Sequence, residues 1–304
     1  MPRPAEPSAA AERLAAAEPS AAAEPSAAAE RLAAAGAESP RLDAELLLAE
    51  ALGVTRTSLY LRAPGPLEAA ARERFEALLA RREAREPVAY ILGRKEFRRL
   101  SVGVDPRVLI PRPETELLVE VGLELPPGAR VADVGTGSGA IALALADERP
   151  DLSITGIDAS ADALVLARDN ARRLGLEVAF VEGDLLVGGP YDAVLANLPY
   201  VRDGEELAPE IARYEPGEAL YGGADGLDVI RRLVGMAAPG MVELMALEVG
   251  EGQAEAVASM LREAGFGPVE RRRDLAGVER VVVGRGRGGG AGMSLPAADG
   301  GGWR

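Results

Sequence analysis

The chain has 304 residues, 48% hydrophobic and 27% charged, with a formal net charge of −14, enough apolar material for a folded protein of one or two domains. It contains no cysteine and no histidine, which excludes disulfides, thiolate nucleophiles, Cys/His zinc sites and imidazole acid–base catalysis. The acidic balance argues against non-specific nucleic-acid binding. No apolar run approaches the roughly 18–20 residues that span a bilayer, and the N-terminus has no apolar signal-peptide core, so the expectation is a cytoplasmic protein without membrane or direct nucleic-acid contact.

Residues 1–25 form a low-complexity Ala/Glu/Pro extension, in which SAAAERLAAA occurs at 8–17 and recurs at 26–35. Glu-Pro steps break the first copy, and the second predicts the first helix. In SPRLDAELLLAEALG, Ser39 is placed as N-cap, Pro40 as the first helical residue, Leu42, Leu46, Leu47 and Ala49 as one apolar face, and Gly53 as the stop. A further helix is expected over 66–85. With no strand signal before about residue 97, residues 26–96 read as a small helical domain, and FRRLSVGVDPRVLIPRPETE (97–116) as a hairpin or linker.

From 117 to 284 strand and helix alternate. Strand candidates are RVADVG, SITGID, VAFVEGD, YDAVLAN, VELMALEV and RVVVG, and helices fall near 139–148, 160–174, 225–238 and 252–265. Such alternation predicts an α/β fold with a doubly wound, mostly parallel sheet. Residues 285–304, rich in glycine, read as a disordered tail.

Two strand ends carry candidate chemistry. In ADVGTGSGAIALALA, Gly135, Gly137 and Gly139 allow a tight turn and close approach of a ligand to the backbone, with Thr136 and Ser138 between them. Asp158 ends the next strand, where an acid can accept both hydroxyls of a ribose. Gly135, Gly137 and Ala140 loosely satisfy a dinucleotide fingerprint, which keeps NAD open. Asp133 before the turn and Asp184 after the third strand favour S-adenosylmethionine. Residues 130–200 resemble a class I S-adenosylmethionine-dependent methyltransferase, which implies a Rossmann-like seven-stranded sheet.

The fourth strand ends in Asn197-Leu198-Pro199-Tyr200. This resembles the Asn/Asp-Pro-Pro-Tyr/Phe tetrad of methyltransferases acting on planar nitrogens: adenine or cytosine amines, or a glutamine amide. The Asn197 oxygen and the backbone carbonyl of Leu198 can each accept one N–H, Pro199 stiffens the backbone, and Tyr200 can pack on the planar group. Leucine stands where the tetrad usually has its first proline, but it supplies the same carbonyl. Because NLPY also occurs in ribosomal RNA adenine dimethyltransferases, the tetrad leaves the substrate open.

The flanks SPRLDAELLLAEALG, REPVAYILGRKEF, LIPRPETE, YEPGEALYGGADGLDVIRRL and RDLAGVERVVVG resemble the peptide chain release factor glutamine methyltransferases, the PrmC/HemK family. The resemblance implies methylation of the glutamine N5 amide in the Gly-Gly-Gln motif of release factors 1 and 2, by a monomer whose helical domain helps to hold the substrate. Asp133, Gly135, Thr136, Gly137, Ser138, Gly139, Asp158, Asp184, Leu185 and Asn197 would hold the cofactor. Leu185 takes a position that is often aromatic in the family. Asn197, Leu198, Pro199 and Tyr200 would hold the glutamine, with Asn197, Pro199 and Tyr200 as the catalytic group. Arg112 and Glu114 are motif residues for which a structural salt bridge is at least as good a reading as substrate contact. The alternative is a DNA or RNA amino-methyltransferase of the adenine N6 type.

Overall fold

The computed structural model describes residues 24–61, 67–237 and 241–286. Nearly all of the N-terminal extension and the glycine-rich tail lie outside the described residues. The chain divides into two compact units between Leu92 and Gly93.

The first unit is helical: α1 (Glu24–Ala34), α2 (Pro40–Leu52), α3 (Arg56–Leu61), α4 (Ala69–Glu83) and α5 (Val88–Leu92). Pro40 opens α2 and Gly53 closes it in the left-handed conformation, while the Ser39 side chain makes no capping bond. The buried stripe of α2 is Ala44, Leu47, Leu48 and Ala51, at i, i+3, i+4 and i+7. The expected face was turned too far, for Leu42 is 40% exposed. The buried Arg82 guanidinium donates to Asp43 Oδ2 at 2.8 Å and ties α4 to α2.

The second unit opens with a hairpin, β1 (Arg94–Phe97) and β2 (Leu100–Gly103), followed by α6 (Glu116–Leu123). The hairpin begins at Arg94, three residues before the expected boundary, because Phe97, Leu100 and Val102 bury in the core of this unit. Then come β3 (Arg130–Val134), α7 (Ala140–Glu148), β4 (Ser153–Asp158), α8 (Ala161–Leu174), β5 (Ala179–Glu182), β6 (Ala193–Ala196), α9 (Pro209–Tyr214), α10 (Asp228–Met236), β7 (Leu244–Glu248), α11 (Ala254–Glu263), β8 (Val269–Arg273) and β9 (Glu279–Arg285).

The seven strands run β5-β4-β3-β6-β7-β9-β8, with β9 antiparallel to both its neighbours. β8 was not among the strand candidates: VERRR is an edge strand with no fully buried side chain, so the apolar run that marks a central strand is missing. One face of the sheet packs Val131, Leu195, Ala246 and Val283 with α7, and the other packs Val194, Met245 and Val282 with α10 and α11. Strand order reverses at β3, which lies between β4 and β6. In open α/β sheets a ligand crevice forms beyond the strand ends at that switch point. Among the described residues no helix is long and apolar enough to cross a membrane.

Candidate active site

The turn after β3 needs its glycines: φ is +73° at Gly135, +55° at Gly137 and +82° at Gly139, a region other residues rarely adopt. The Ile157 carbonyl on β4 accepts from the Gly135 and Thr136 N–H groups. Asp133 lies beneath the turn rather than at the cavity wall. Its Oδ2 accepts from Thr136 Oγ1 at 2.6 Å and from the Ala142 N–H at 3.2 Å. Asp133 is fully buried, and loss of solvent pushes its carboxyl up to about 7. The expected direct reach to a ligand is therefore corrected to a brace holding the turn to α7. Gly139 also stays off the wall; a Cβ there would press on Leu143 and Phe180.

At the end of β4, the Asp158 carboxylate accepts from the Gly137 N–H at 2.8 Å and the Ser160 N–H at 2.9 Å. Each oxygen keeps a further acceptor site, and burial raises the group above the usual carboxylate range. After β5, Asp184 accepts from Arg232 Nη2 at 2.6 Å. Leu185 is held at φ +69°, a strained conformation for a non-glycine residue, and is 6% exposed.

At the end of β6 the tetrad sits beside the glycine turn, since β3 and β6 pair in register Val134 to Ala196. Leu198 packs so closely on the turn that a Cβ on Gly135 would approach its Cδ2 at 3.0 Å. The Asn197 Nδ2 donates to Thr115 Oγ1 at 3.1 Å. Among the described residues neither Asn197 Oδ1 nor the Leu198 carbonyl accepts a hydrogen bond. The Tyr200 ring lies outside the cavity lining, a third correction after Asp133 and Gly139. It packs on the core under α10 and α11, with its hydroxyl 3.5 Å from Glu248 Oε1, and its carbonyl accepts from Gln253 Nε2 at 2.9 Å. The loop 222–226 presses on the tetrad backbone so closely that a Cβ on Gly222 would strike the Pro199 carbonyl, and one on Gly226 the Tyr200 carbonyl.

Arg112 has a structural partner. Its Nη2 donates to Glu215 Oε1 at 2.5 Å, while Glu215 Oε2 accepts from the Ile110 N–H at 3.1 Å. This strap joins the 107–115 segment to the segment after α9. Asn170 on α8 performs a similar service for the hairpin: its amide bonds Gly103 N and O and the Ser138 carbonyl.

Together these strand ends enclose a cavity of about 560 Å³, lined by Gly135–Ser138, Asp158, Asp184, Leu185, Asn197, Leu198 and Pro199, within the size range of small-ligand sites. Val108, Pro111, Thr115, Ser160, Glu218 and Val229 also line it, and none of these was singled out from sequence. The signal for Pro111 and Thr115 was the LIPRPETE motif itself, which reads as a linker until the fold brings it over the strand ends. Among the described residues no cluster of three or more carboxylates could hold a metal ion.

What fold and site define is a class I S-adenosylmethionine-dependent methyltransferase: a seven-stranded sheet with a reversed penultimate strand at one edge, and a crevice at the switch point carrying the glycine turn, Asp158 and the first three residues of the Asn197–Tyr200 tetrad. The residues present suit that cofactor, for Asp158 retains free acceptor sites beside the turn, and a Cβ built on Gly137 meets nothing within 4 Å. The family descriptions "PrmC N-terminal domain" and "Methyltransferase small domain" match residues 26–93 and 113–214. A release factor glutamine methyltransferase of Burkholderia pseudomallei is 47% identical over 262 residues, covering 80% of this chain and 91% of the relative. One of Rhodospirillum rubrum is 44% identical over 268 residues, covering 83% and 81%. Among solved structures, the hMettl16 catalytic domain in complex with an RNA hairpin matches with TM-score 0.50 at 14% identity, over 68% of this chain and 80% of that one; this shows the fold alone. The chain belongs to the release factor glutamine methyltransferase family.

Proposed function

We propose that this enzyme methylates the N5 amide of the glutamine in the Gly-Gly-Gln motif of bacterial class 1 release factors, with release factors 1 and 2 as substrates. It would act as a cytoplasmic monomer, and residues 26–96 would help to hold the release factor. The observation that carries the reading is the pair of unengaged acceptors, Asn197 Oδ1 and the Leu198 carbonyl, beside the glycine turn.

An amide nitrogen is a poor nucleophile because its lone pair is delocalised. S-adenosylmethionine supplies a sulfonium-activated methyl, so the protein's task is orientation and removal of water. Asn197 Oδ1 and the Leu198 carbonyl would each take one N–H of the substrate amide, leaving the lone pair aimed at the methyl–sulfur axis. Such alignment is worth roughly 7–11 kcal/mol in favourable cases. Bound S-adenosylmethionine would supply the methyl, with the N–CH₃ bond forming as the S–CH₃ bond breaks and its electron pair left on sulfur, and the proton of the methylated, now acidic nitrogen would pass to water. No side-chain base is called on for that transfer, and the chain has no histidine to supply one.

Asp158 would take the ribose hydroxyls, Leu185 with Val229 would cover the adenine, Asp184 would border it, and the turn from Gly135 to Ser138 would face the cofactor. Asp133 and Gly139 would act from beneath, by shaping the turn. Pro199 would set the direction of the Leu198 carbonyl, and Tyr200 would anchor the far end of the tetrad through Gln253. Both arginines of the cavity wall are already paired, Arg107 with Asp105 and Arg232 with Asp184, which leaves little cationic surface for a nucleic-acid substrate.

The test is incubation with S-adenosylmethionine and an unmethylated release factor, followed by peptide mass spectrometry. One added methyl on the Gly-Gly-Gln peptide is expected. No added methyl, with cofactor binding measured separately, would overturn the substrate and turn attention to nucleic-acid amines.

A further inference from the structure

Asn170 lies on α8 and is 2% exposed, and its side-chain amide is fully engaged. Oδ1 accepts from the Gly103 N–H at 2.8 Å and from Arg173 Nη2 at 3.0 Å. Nδ2 donates to the Gly103 carbonyl at 3.0 Å and to the Ser138 carbonyl at 2.9 Å. A carboxamide offers two N–H donors and two acceptor sites on its oxygen, so every place is taken. Turning the amide over would set its oxygen against two carbonyls and its NH₂ against two donors. The network itself therefore fixes which atom points where. Arg173 Nη2 also donates to the Ser101 carbonyl at 2.8 Å, which fastens the same amide to the hairpin.

The two ends of this bridge belong to different walls of the cavity. Ser138 lies in the turn after β3, and its carbonyl is held just before Gly139, whose N–H donates to the Thr136 carbonyl at 2.8 Å. Asp133 grips that turn through the Thr136 hydroxyl and Asp158 through the Gly137 N–H; Asn170 grips it through a carbonyl. Gly103 ends β2, a few residues before Arg107, Val108 and Pro111 join the cavity wall. A Cβ on Gly103 would lie 2.6 Å from Asn170 Oδ1, so the hairpin end and the amide fit only with glycine between them.

Resting on the reading of the glycine turn as the seat of the cofactor, we propose that Asn170 is a positioning residue for S-adenosylmethionine, setting the floor of the cavity against its roof. Asn170 is not part of the cavity wall, so it acts on the cofactor only through the two backbone segments that it joins. On one side it holds the Ser138–Gly139 peptide, and on the other the start of the segment that runs from Gly103 to Pro111. An amide is the right group for this task, because each segment presents a carbonyl and the hairpin presents an N–H as well. A carboxylate could serve the N–H but neither carbonyl.

The experiment measures the calorimetric affinity of the full chain for S-adenosylmethionine, with circular dichroism and the urea midpoint recorded for each variant. Asn170→Asp keeps the shape and the acceptor and loses both donors; affinity is expected to fall roughly 10–10²-fold. Gly103→Ala leaves the turn untouched and displaces Oδ1 from the hairpin side, without introducing a charge, and a loss of roughly threefold to tenfold is expected. Because both changes act through one amide, the double variant is expected to lose no more affinity than Asn170→Asp alone. Arg149→Ala is the control for stability. It cuts bonds to the Leu123 and Leu125 carbonyls beyond the far end of α7, and should lower the urea midpoint with affinity held within about twofold. Three results would overturn the proposal: parent-like affinity in folded Asn170→Asp or Gly103→Ala, losses that add in the double variant, or an equal loss in Arg149→Ala. Parent-like affinity in Asp158→Ala would instead overturn the seat of the cofactor, whatever Asn170 does.

Discussion

The neighbouring strands β3 and β6 end differently. At the end of β3 the polar groups are largely satisfied from within: Asp133 holds Thr136 and Ala142, Asp158 holds Gly137, and Ile157 holds Gly135 and Thr136. At the end of β6 the backbone is clamped by Gly222, Gly226 and Gln253, yet two acceptors are left open. A turn braced from beneath in this way is a wall for a bound molecule, with the spare acceptor sites of Asp158 beside it. Open acceptors on a clamped backbone suit the orientation of a reacting group, the role proposed for them above.

The sharpest way to break this contrast is Asn197→Ala. Loss of one open acceptor is expected to lower kcat roughly 10²–10³-fold, with cofactor affinity little changed in calorimetry; a comparable loss of affinity would make Asn197 part of the cofactor wall. Asp158→Ala attacks the β3 turn from the end of β4. It removes the brace on Gly137 and the acceptors beside the turn, and should weaken S-adenosylmethionine binding roughly 10–10²-fold, measured by the same titration. Parent-like affinity would place the ribose elsewhere.

Arg112→Ala cuts the strap and leaves Glu215 buried without its cation. Because Arg112 is itself partly exposed, a loss of about 2 kcal/mol is expected, below the range for fully buried pairs; denaturant unfolding would detect it, and an unchanged midpoint would show that the strap bears no load. The brace beneath the turn can be read by pH. Burial raises Asp133 to about 7, so the folded protein keeps a proton that the unfolded chain releases near pH 4. Its contribution to stability is therefore full at low pH and declines as pH rises toward 7. Asp133→Asn should shrink the drop in urea midpoint between about pH 5 and pH 8; an unchanged drop would mean that Asp133 is ionised throughout. The smallest effect is expected from Leu198→Pro, which keeps the carbonyl and stiffens the chain by roughly 0.4–1 kcal/mol, changing kcat less than about threefold. A large change would show that the leucine packing on Gly135 sets the geometry.

Much of this was legible in the residues. Alternating apolar runs and helical stretches marked five of the parallel-layer strands and β9, and glycine spacing with the spaced Asp158 marked the switch point. The edge strand VERRR was not legible because none of its side chains is fully buried. The α2 face was misplaced because the leucine run offers several stripes, and the choice among them is made by the helices that pack on it. Asp133 was assigned to the cavity as the acid before the glycine turn and Tyr200 as the last residue of the tetrad, but position in a motif does not say on which side of a strand end a side chain falls.

By itself the sequence determined the alternating architecture, the absence of histidine and cysteine chemistry, and the Asn197–Tyr200 tetrad at the end of a strand. These follow from local pattern and residue type. Only the tertiary structure decided that Arg112 is bound to Glu215, that LIPRPETE roofs the strand ends, and that Thr115 is bonded to Asn197. The physical reason is separation: these groups lie tens to more than a hundred residues apart, so no local propensity joins them, and their contacts exist only once the sheet has brought its strand ends to one edge.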